Sequence, residues 1–161
     1  MIVSNTTPVL NFGRQGVLDI LKKCFGKVII PRAVYEEINK KSDGPEILAL
    51  EKAIKEKWVE VEDVKINSLL KSDSIEQGEK EAISLAVKKK AILLIDDDFA
   101  KAYASVLGVE AHGSFYVLYL ACSKKIIDKE TAKRIFDGMI REGFYLSTEL
   151  YLKFLDLLEK I

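Results

Sequence analysis

Ala91-Ile92-Leu93-Leu94-Ile95-Asp96-Asp97-Asp98 is the stretch that decides the fold. Five apolar residues without a break read as a strand buried on both faces, as in the interior of a parallel sheet. The run opens directly onto three acids. Adjacent like charges repel, so the cluster does not serve folding. It is what a hard divalent cation needs, provided other acids converge on it. The plain alternative is a helix cap, since carboxylates are favoured near helix N-termini, but one cap needs one aspartate.

Outward from that strand, short strands alternate with helices. Upstream, Gly78 precedes a helix marked by Ala82, Ile83, Leu85, Ala86 and Val87. Downstream, Phe99 to Leu107 reads as a helix stopped by Gly108, Val109-Glu110-Ala111 as a short strand, and the remainder as two or three helices. At the start, Met1-Ile2-Val3-Ser4 is a first strand and Asn5-Thr6-Thr7-Pro8 a helix entry, with Thr7 as N-cap and Pro8 in the first helical position. Val9, Leu10, Phe12, Val17, Leu18, Ile20 and Leu21 have helical spacing, broken around Gly13 and Gly16. Lys27-Val28-Ile29-Ile30 is a second strand, and Pro31 opens a helix through Val34, Tyr35, Glu37 and Ile38. Ser42-Asp43-Gly44-Pro45 caps the next helix, and Val59-Glu60-Val61 alternates like an edge strand. Residues 66–76 are polar and show no period. The alternation predicts a three-layer α/β/α sandwich with a mainly parallel central sheet, residues 1–161 forming a single domain.

Composition narrows the function classes. Lys+Arg and Asp+Glu balance at 25 each, so the molecule has no strong overall field. That argues against a constitutively basic nucleic-acid clamp, though not against a local basic patch. The two cysteines, Cys24 and Cys122, lie far apart without ligand spacing, and with a single histidine a zinc site is not expected. No apolar run approaches the roughly 20 residues of a membrane span, and the N-terminus lacks a signal peptide's build. A cytoplasmic protein, not engaged with membrane, is expected.

In a parallel sheet, functional groups gather beyond the carboxyl ends of the strands. There the sequence offers Asn5 after the first strand, Glu37 on the helix after the second, Glu81 at the head of the helix after Gly78, and Asp96, Asp97 and Asp98 after the central strand. Several carboxylates around one small cleft require a cation, and oxygen ligands suit Mg²⁺ or Mn²⁺. Glu37 taken alone is a solvated helix position, and Glu79 is expected to be one too. His112 has no partner visible in the sequence and reads as structural or surface. Trp58, Phe115, Tyr116 and Tyr119 follow helical spacing or flank strands, so core packing is expected ahead of base stacking. Lys88-Lys89-Lys90 precedes the central strand, at the opposite end from the acids, and reads as solvated surface. Lys101, Lys124, Lys125, Arg134 and Arg141 are better placed to line an RNA path.

In this order the motifs resemble a PIN domain. They are Asn5-Thr6-Thr7-Pro8 after a strand, Val28-Ile29-Ile30-Pro31 with Glu37, Gly78-Glu79-Lys80-Glu81-Ala82-Ile83, and Leu93-Leu94-Ile95-Asp96-Asp97. Gly108-Val109, His112-Gly113-Ser114 and the tail Gly143-Phe144-Tyr145-Leu146-Ser147 are similar to the same family branch, which is related to VapC-type toxins. The resemblance covers nearly the whole chain. It implies a divalent-metal-dependent endoribonuclease whose acids map onto Asn5, Glu37, Glu81 and Asp96, with Asp97 or Asp98 sharing the last role. It also implies Mg²⁺ or Mn²⁺ as cofactor, single-stranded or structured RNA as substrate, and a small antitoxin protein as partner if the chain is a toxin. The amphipathic final helix, with Leu150, Phe154, Leu157, Leu158 and Ile161, would pack into the core or seam a homodimer, the expected state.

One position departs from the family pattern. Asn5 stands where the first motif has Asp, so the ligand set has a charge of about −3 where about −4 is usual, and weaker metal binding follows. Three readings stay open: an attenuated or inactive natural member, an active enzyme in which Asp97 or Asp98 compensates, or a substitution that silences a toxic enzyme. The alternative of another class is a non-catalytic PIN-like module that binds RNA or a protein partner. A receiver-like signalling domain would need its acid pair after the first strand, where this chain has Asn5.

Overall fold

The structure is a computed structural model describing residues 1–161. Its centre is a five-stranded sheet formed by β1 (Ile2–Ser4), β2 (Val28–Pro31), β3 (Val59–Glu62), β4 (Ile92–Leu94) and β5 (Ala111–His112). The strand order is β3-β2-β1-β4-β5 and every pair is parallel. The expected α/β architecture with a parallel sheet is therefore what the chain adopts.

Period-two alternation distributes the strands' side chains between the layers. Ile2, Val28, Ile30 and Leu94 face one way, into a cluster of 27 buried residues. That cluster draws on helices α1 (Thr6–Arg14), α2 (Asp19–Phe25), α3 (Arg32–Lys41), α4 (Pro45–Lys55), α7 (Ser114–Ser123), α8 (Lys129–Arg141) and α9 (Thr148–Glu159). Val3, Ile29, Leu93 and Ile95 face the other way, into a cluster of 13. Helices α5 (Gln77–Lys89) and α6 (Asp98–Val106) close that side, together with Leu70 and Ile75 from the aperiodic segment. Those two residues are buried although their surroundings are polar, which is why no period announced them. No helix is long and apolar enough to cross a membrane.

Local details differ from expectation in understandable ways. The first helix begins two residues earlier, with Asn5 as N-cap instead of Thr7. Pro31 stays in the sheet as the last residue of β2, paired with Glu62, and α3 starts at Arg32. Its fixed φ suits extended backbone, and its ψ of 159° makes it the N-cap. The break near Gly13 and Gly16 is observed, as is the edge strand β3.

The sheet order sets the position of the site. From β1 the chain builds outward to β2 and β3, then returns to add β4 and β5 on β1's other side. The direction of winding reverses between β1 and β4, and a reversal of this kind opens a crevice at the carboxyl ends of the two strands. Asn5 and Asp96 lie just past those ends, tied by the Asn5 N–H donating to the Leu94 carbonyl at 2.9 Å.

Candidate metal centre

Asp96 is the best-held acid of the crevice. Its Oδ1 accepts from the Ser114 N–H at 2.7 Å, and its Oδ2 accepts from the Ser114 hydroxyl at 2.8 Å. The Asn11 amide reaches Oδ2 at 3.4 Å and the Ser114 hydroxyl at 3.1 Å. Burial pushes the Asp96 carboxyl above the usual range, against the Ser114 hydrogen bonds and the Lys101 charge. Gly113 makes room for it: a Cβ there would stand 2.6 Å from Asp96 Oδ1 and 3.2 Å from Lys101 Nζ.

The other two aspartates of the triplet separate from it. Asp97 is the N-cap of α6 and accepts from the Ala100 N–H at 2.8 Å. Asp98 is 99% exposed at its side chain and sits 3.7 Å from Lys101. The cap reading thus holds for one residue of the three.

Across the crevice, Asn5 is buried at the start of α1, yet its side chain makes no cap bond. Its Oδ1 is fully enclosed and has no hydrogen-bond partner. Glu37 lies close by. Its Oε2 accepts from the Thr6 hydroxyl at 2.6 Å and its Oε1 pairs with Lys41 at 2.6 Å. Gly78 lets the first turn of α5 approach this pair. A Cβ on Gly78 would meet Glu37 Oε2 at 2.9 Å and Asn5 Oδ1 at 3.8 Å.

Helix α5 places its acids differently from expectation. Glu81 turns both oxygens to other work: Oε1 accepts from the Ala33 N–H at the head of α3 at 3.2 Å, and Oε2 accepts from the Gln77 amide at 2.9 Å. Glu79, expected to be solvated, is buried at 9% exposure. One oxygen closes a capping box by accepting from the Glu76 N–H at 3.0 Å. Burial raises its pKa, and the charges of Asp97, Glu76 and Glu37 raise it further. Glu79 therefore shares electrostatic space with acids on both sides of the crevice. A usable signal was present in the sequence: Glu79, Ala82, Ile83 and Ala86 fall on one helical stripe. Nothing local distinguishes Asn11, and Ser114 enters the sequence reading only as part of the His112-Gly113-Ser114 turn, without a site role.

No three acidic, histidine or cysteine side chains stand close enough together to hold one ion in the observed rotamers. The Asn5–Glu37–Glu79 side is nonetheless rich in acceptors: Thr6, Lys41 and the Glu76 N–H serve the two carboxylates, and Asn5 Oδ1 has no donor. An enclosed amide oxygen without a donor, facing a carboxylate across a glycine, suits a cation with oxygen ligands. Lys88 and Lys90 are exposed at the far end of α5, as their position before β4 implied.

Comparison with known proteins agrees with this architecture. The family model described as DUF3368, PIN domain, matches residues 1–160. A solved structure of a PilT N-terminus domain protein from the hyperthermophilic archaeon Sulfolobus solfataricus superposes with a TM-score of 0.56 at 22% identity, covering 76% of this chain and 93% of that one. At that identity the likeness speaks for the fold. No curated protein matches the chain.

Proposed function

The chain belongs to the PIN-domain family, and from that premise we propose that it is a divalent-metal-dependent endoribonuclease, attenuated by Asn5. The observation that supports this most directly is the enclosed, unpartnered Asn5 Oδ1 beside Glu37 at the sheet's switch point. In this reading Asn5, Glu37, Glu79 and Asp96 hold Mg²⁺ or Mn²⁺, with Glu81 supporting the helix that presents Glu37. Asp97 and Asp98 flank the site as cap and surface charge. When bound, the ion supplies positive charge at the phosphoryl oxygens and a more acidic water.

The protein's own groups do the remaining work. The Ser114 N–H and hydroxyl fix the orientation of Asp96, as groups behind a metal ligand commonly do. Thr6 and Lys41 fix Glu37 in the same way. The Glu76 N–H holds one oxygen of Glu79 in the capping box. Lys101, beside Asp96, offers a charge to a phosphate oxygen.

The wider reading is the toxin of a toxin–antitoxin pair, working in the cytoplasm as a homodimer with a small protein as antitoxin. The two buried free cysteines are in keeping with a reducing compartment. An apolar shelf with Leu69 (70% exposed) and Val106 (85% exposed) supports a protein–protein contact.

The second reading is a non-catalytic module that binds RNA or a protein partner. It is favoured by the neutral Asn5 and by the separation of the acids. One experiment decides between them: Mn²⁺ calorimetry and cleavage of single-stranded RNA, for this chain and for Asn5→Asp. Mn²⁺ binding and cutting that both strengthen in Asn5→Asp support the nuclease. No Mn²⁺ binding by either protein ends that reading and leaves the module.

A further inference from the structure

We infer that the cavity beside Asp96 receives one unpaired nucleobase of an RNA strand, stacked on the aromatic pair His112–Tyr116, with the adjoining phosphate at Lys101. The inference rests on the nuclease reading for its substrate and adds the subsite that grips the strand.

The cavity measures about 460 Å³ and lies among the end of β5, the first turn of α7 and the segment joining α8 to α9. Small-ligand sites span roughly 300–1,000 Å³, so a flat heterocycle fits with room to enter. Asp96 and Lys101 line the cavity together with Tyr145 and Ser147, which makes it continuous with the candidate centre.

The walls favour a base over other occupants. His112 and Tyr116 lie face to face, with ring centroids 3.8 Å apart and planes 14° from parallel. Glu110 bonds the imidazole at 2.8 Å and fixes the ring against the phenol. Helical spacing predicted Tyr116 for the core, but the structure leaves it half-buried on the cavity wall. Two stacked rings form a platform that a third flat ring extends, and every nucleobase has a π-face. Tyr145 adds a ring that is 90% exposed and has an area of apolar surface for a base to cover.

Charge points the same way. Lys101 approaches Asp96 across Gly113, and its ion pair with the fully solvated Asp98 is long, at 3.7 Å. Exposed pairs of this kind are weak, and a phosphate can take the place of Asp98. A duplex cannot use the cavity, because paired bases already stack on their neighbours. The subsite therefore selects single strands.

The test is fluorescence anisotropy with a labelled oligoadenylate of about ten nucleotides, a length within single-strand site sizes. The strand is compared with twins in which one position at a time is abasic, with calcium in one series and EDTA in another. The expected result is one position at which loss of the base lowers affinity about tenfold, as for a stacked base. Tyr116→Leu and the surface change Tyr145→Ala should each weaken the intact strand and flatten the abasic profile, with thermal melts reporting that each variant folds. A flat profile for the parent protein, binding of duplex as tight as of single strand, or no binding in either series overturns the subsite. Cleavage assays with manganese on the same preparation keep the two readings apart: cutting with a flat profile leaves the nuclease and removes the subsite.

Discussion

The two sides of the crevice between β1 and β4 are built on opposite terms. On the β4 side, both oxygens of Asp96 receive protein donors. On the β1 side, Asn5 Oδ1 receives none, and Glu79 is crowded by the charges of Asp97, Glu76 and Glu37. A buried acceptor left without a donor costs about 1–3 kcal/mol, so the β1 side gives up stability that the β4 side keeps. The difference teaches which half the fold completes with its own donors and which half keeps an unpaired acceptor.

The strongest way to break this comparison is to remove the held acid. Asp96→Asn should lower manganese-dependent cleavage at least about a hundredfold while the fold survives, read by single-turnover kinetics beside a thermal melt. Retained cleavage would show that the β4 side is scaffold. Next comes charge on the open side: Asn5→Asp should tighten manganese binding about tenfold by calorimetry, since hard-cation affinity follows ligand charge. The same change should lower the melting temperature of the metal-free protein, because it adds one more carboxylate to an uncompensated group.

Ser114→Ala removes the hydroxyl that serves both Asp96 and Asn11. It should cost about 1–3 kcal/mol by urea unfolding, because a largely buried carboxylate loses a donor. Glu79→Gln should act in the opposite direction, raising metal-free stability near neutral pH by about 1 kcal/mol, or roughly 2–4 °C. The pH dependence follows from the direction of the shifts. Burial raises the pKa of both Asp96 and Glu79. Between the unfolded and folded pKa values the folded chain holds protons that the unfolded chain has released, so stability falls as pH rises through that window and is full below it. Glu79→Gln should flatten that fall in metal-free melts, and manganese should offset it in the parent. The smallest effect is expected of Glu81→Gln: manganese affinity within about twofold of the parent and under about 1 kcal/mol of stability, since one of its oxygens caps α3 and the other accepts from Gln77.

How far the sequence disclosed this site depends on the kind of signal each residue leaves. Asp96 was legible because an unbroken apolar strand ends on it, and Asn5 because the first strand does the same. The parallel sheet followed from strands that alternate with helices. Glu79 was misjudged because a charged residue between Gly78 and Lys80 looks solvated, although it shares a stripe with Ala82, Ile83 and Ala86. Glu81 attracted attention by standing next to the apolar run, and its carboxylate serves a neighbouring helix. Asn11 leaves no local trace, and Ser114 figures only as part of the His112-Gly113-Ser114 turn, with no site role attached. They matter through a tertiary meeting across 103 positions of sequence, which no short window contains. The burial of Leu70 and Ile75 was likewise invisible, since a segment that merely lies across a helical layer obeys no period.

The central place of β1 also bears on how the molecule comes into being. Ile2 and Val3 pair with β2 on one side, and all three of its residues pair with β4 on the other, so Ser4 finds Leu94 only after more than half of the polypeptide exists. Long-range parallel pairing of this sort forms late and slowly. During synthesis Asn5 leaves the ribosome early and Ser114 much later, and until both are out there is no crevice. A nascent chain thus has no such crevice, and the pocket is completed only at the end.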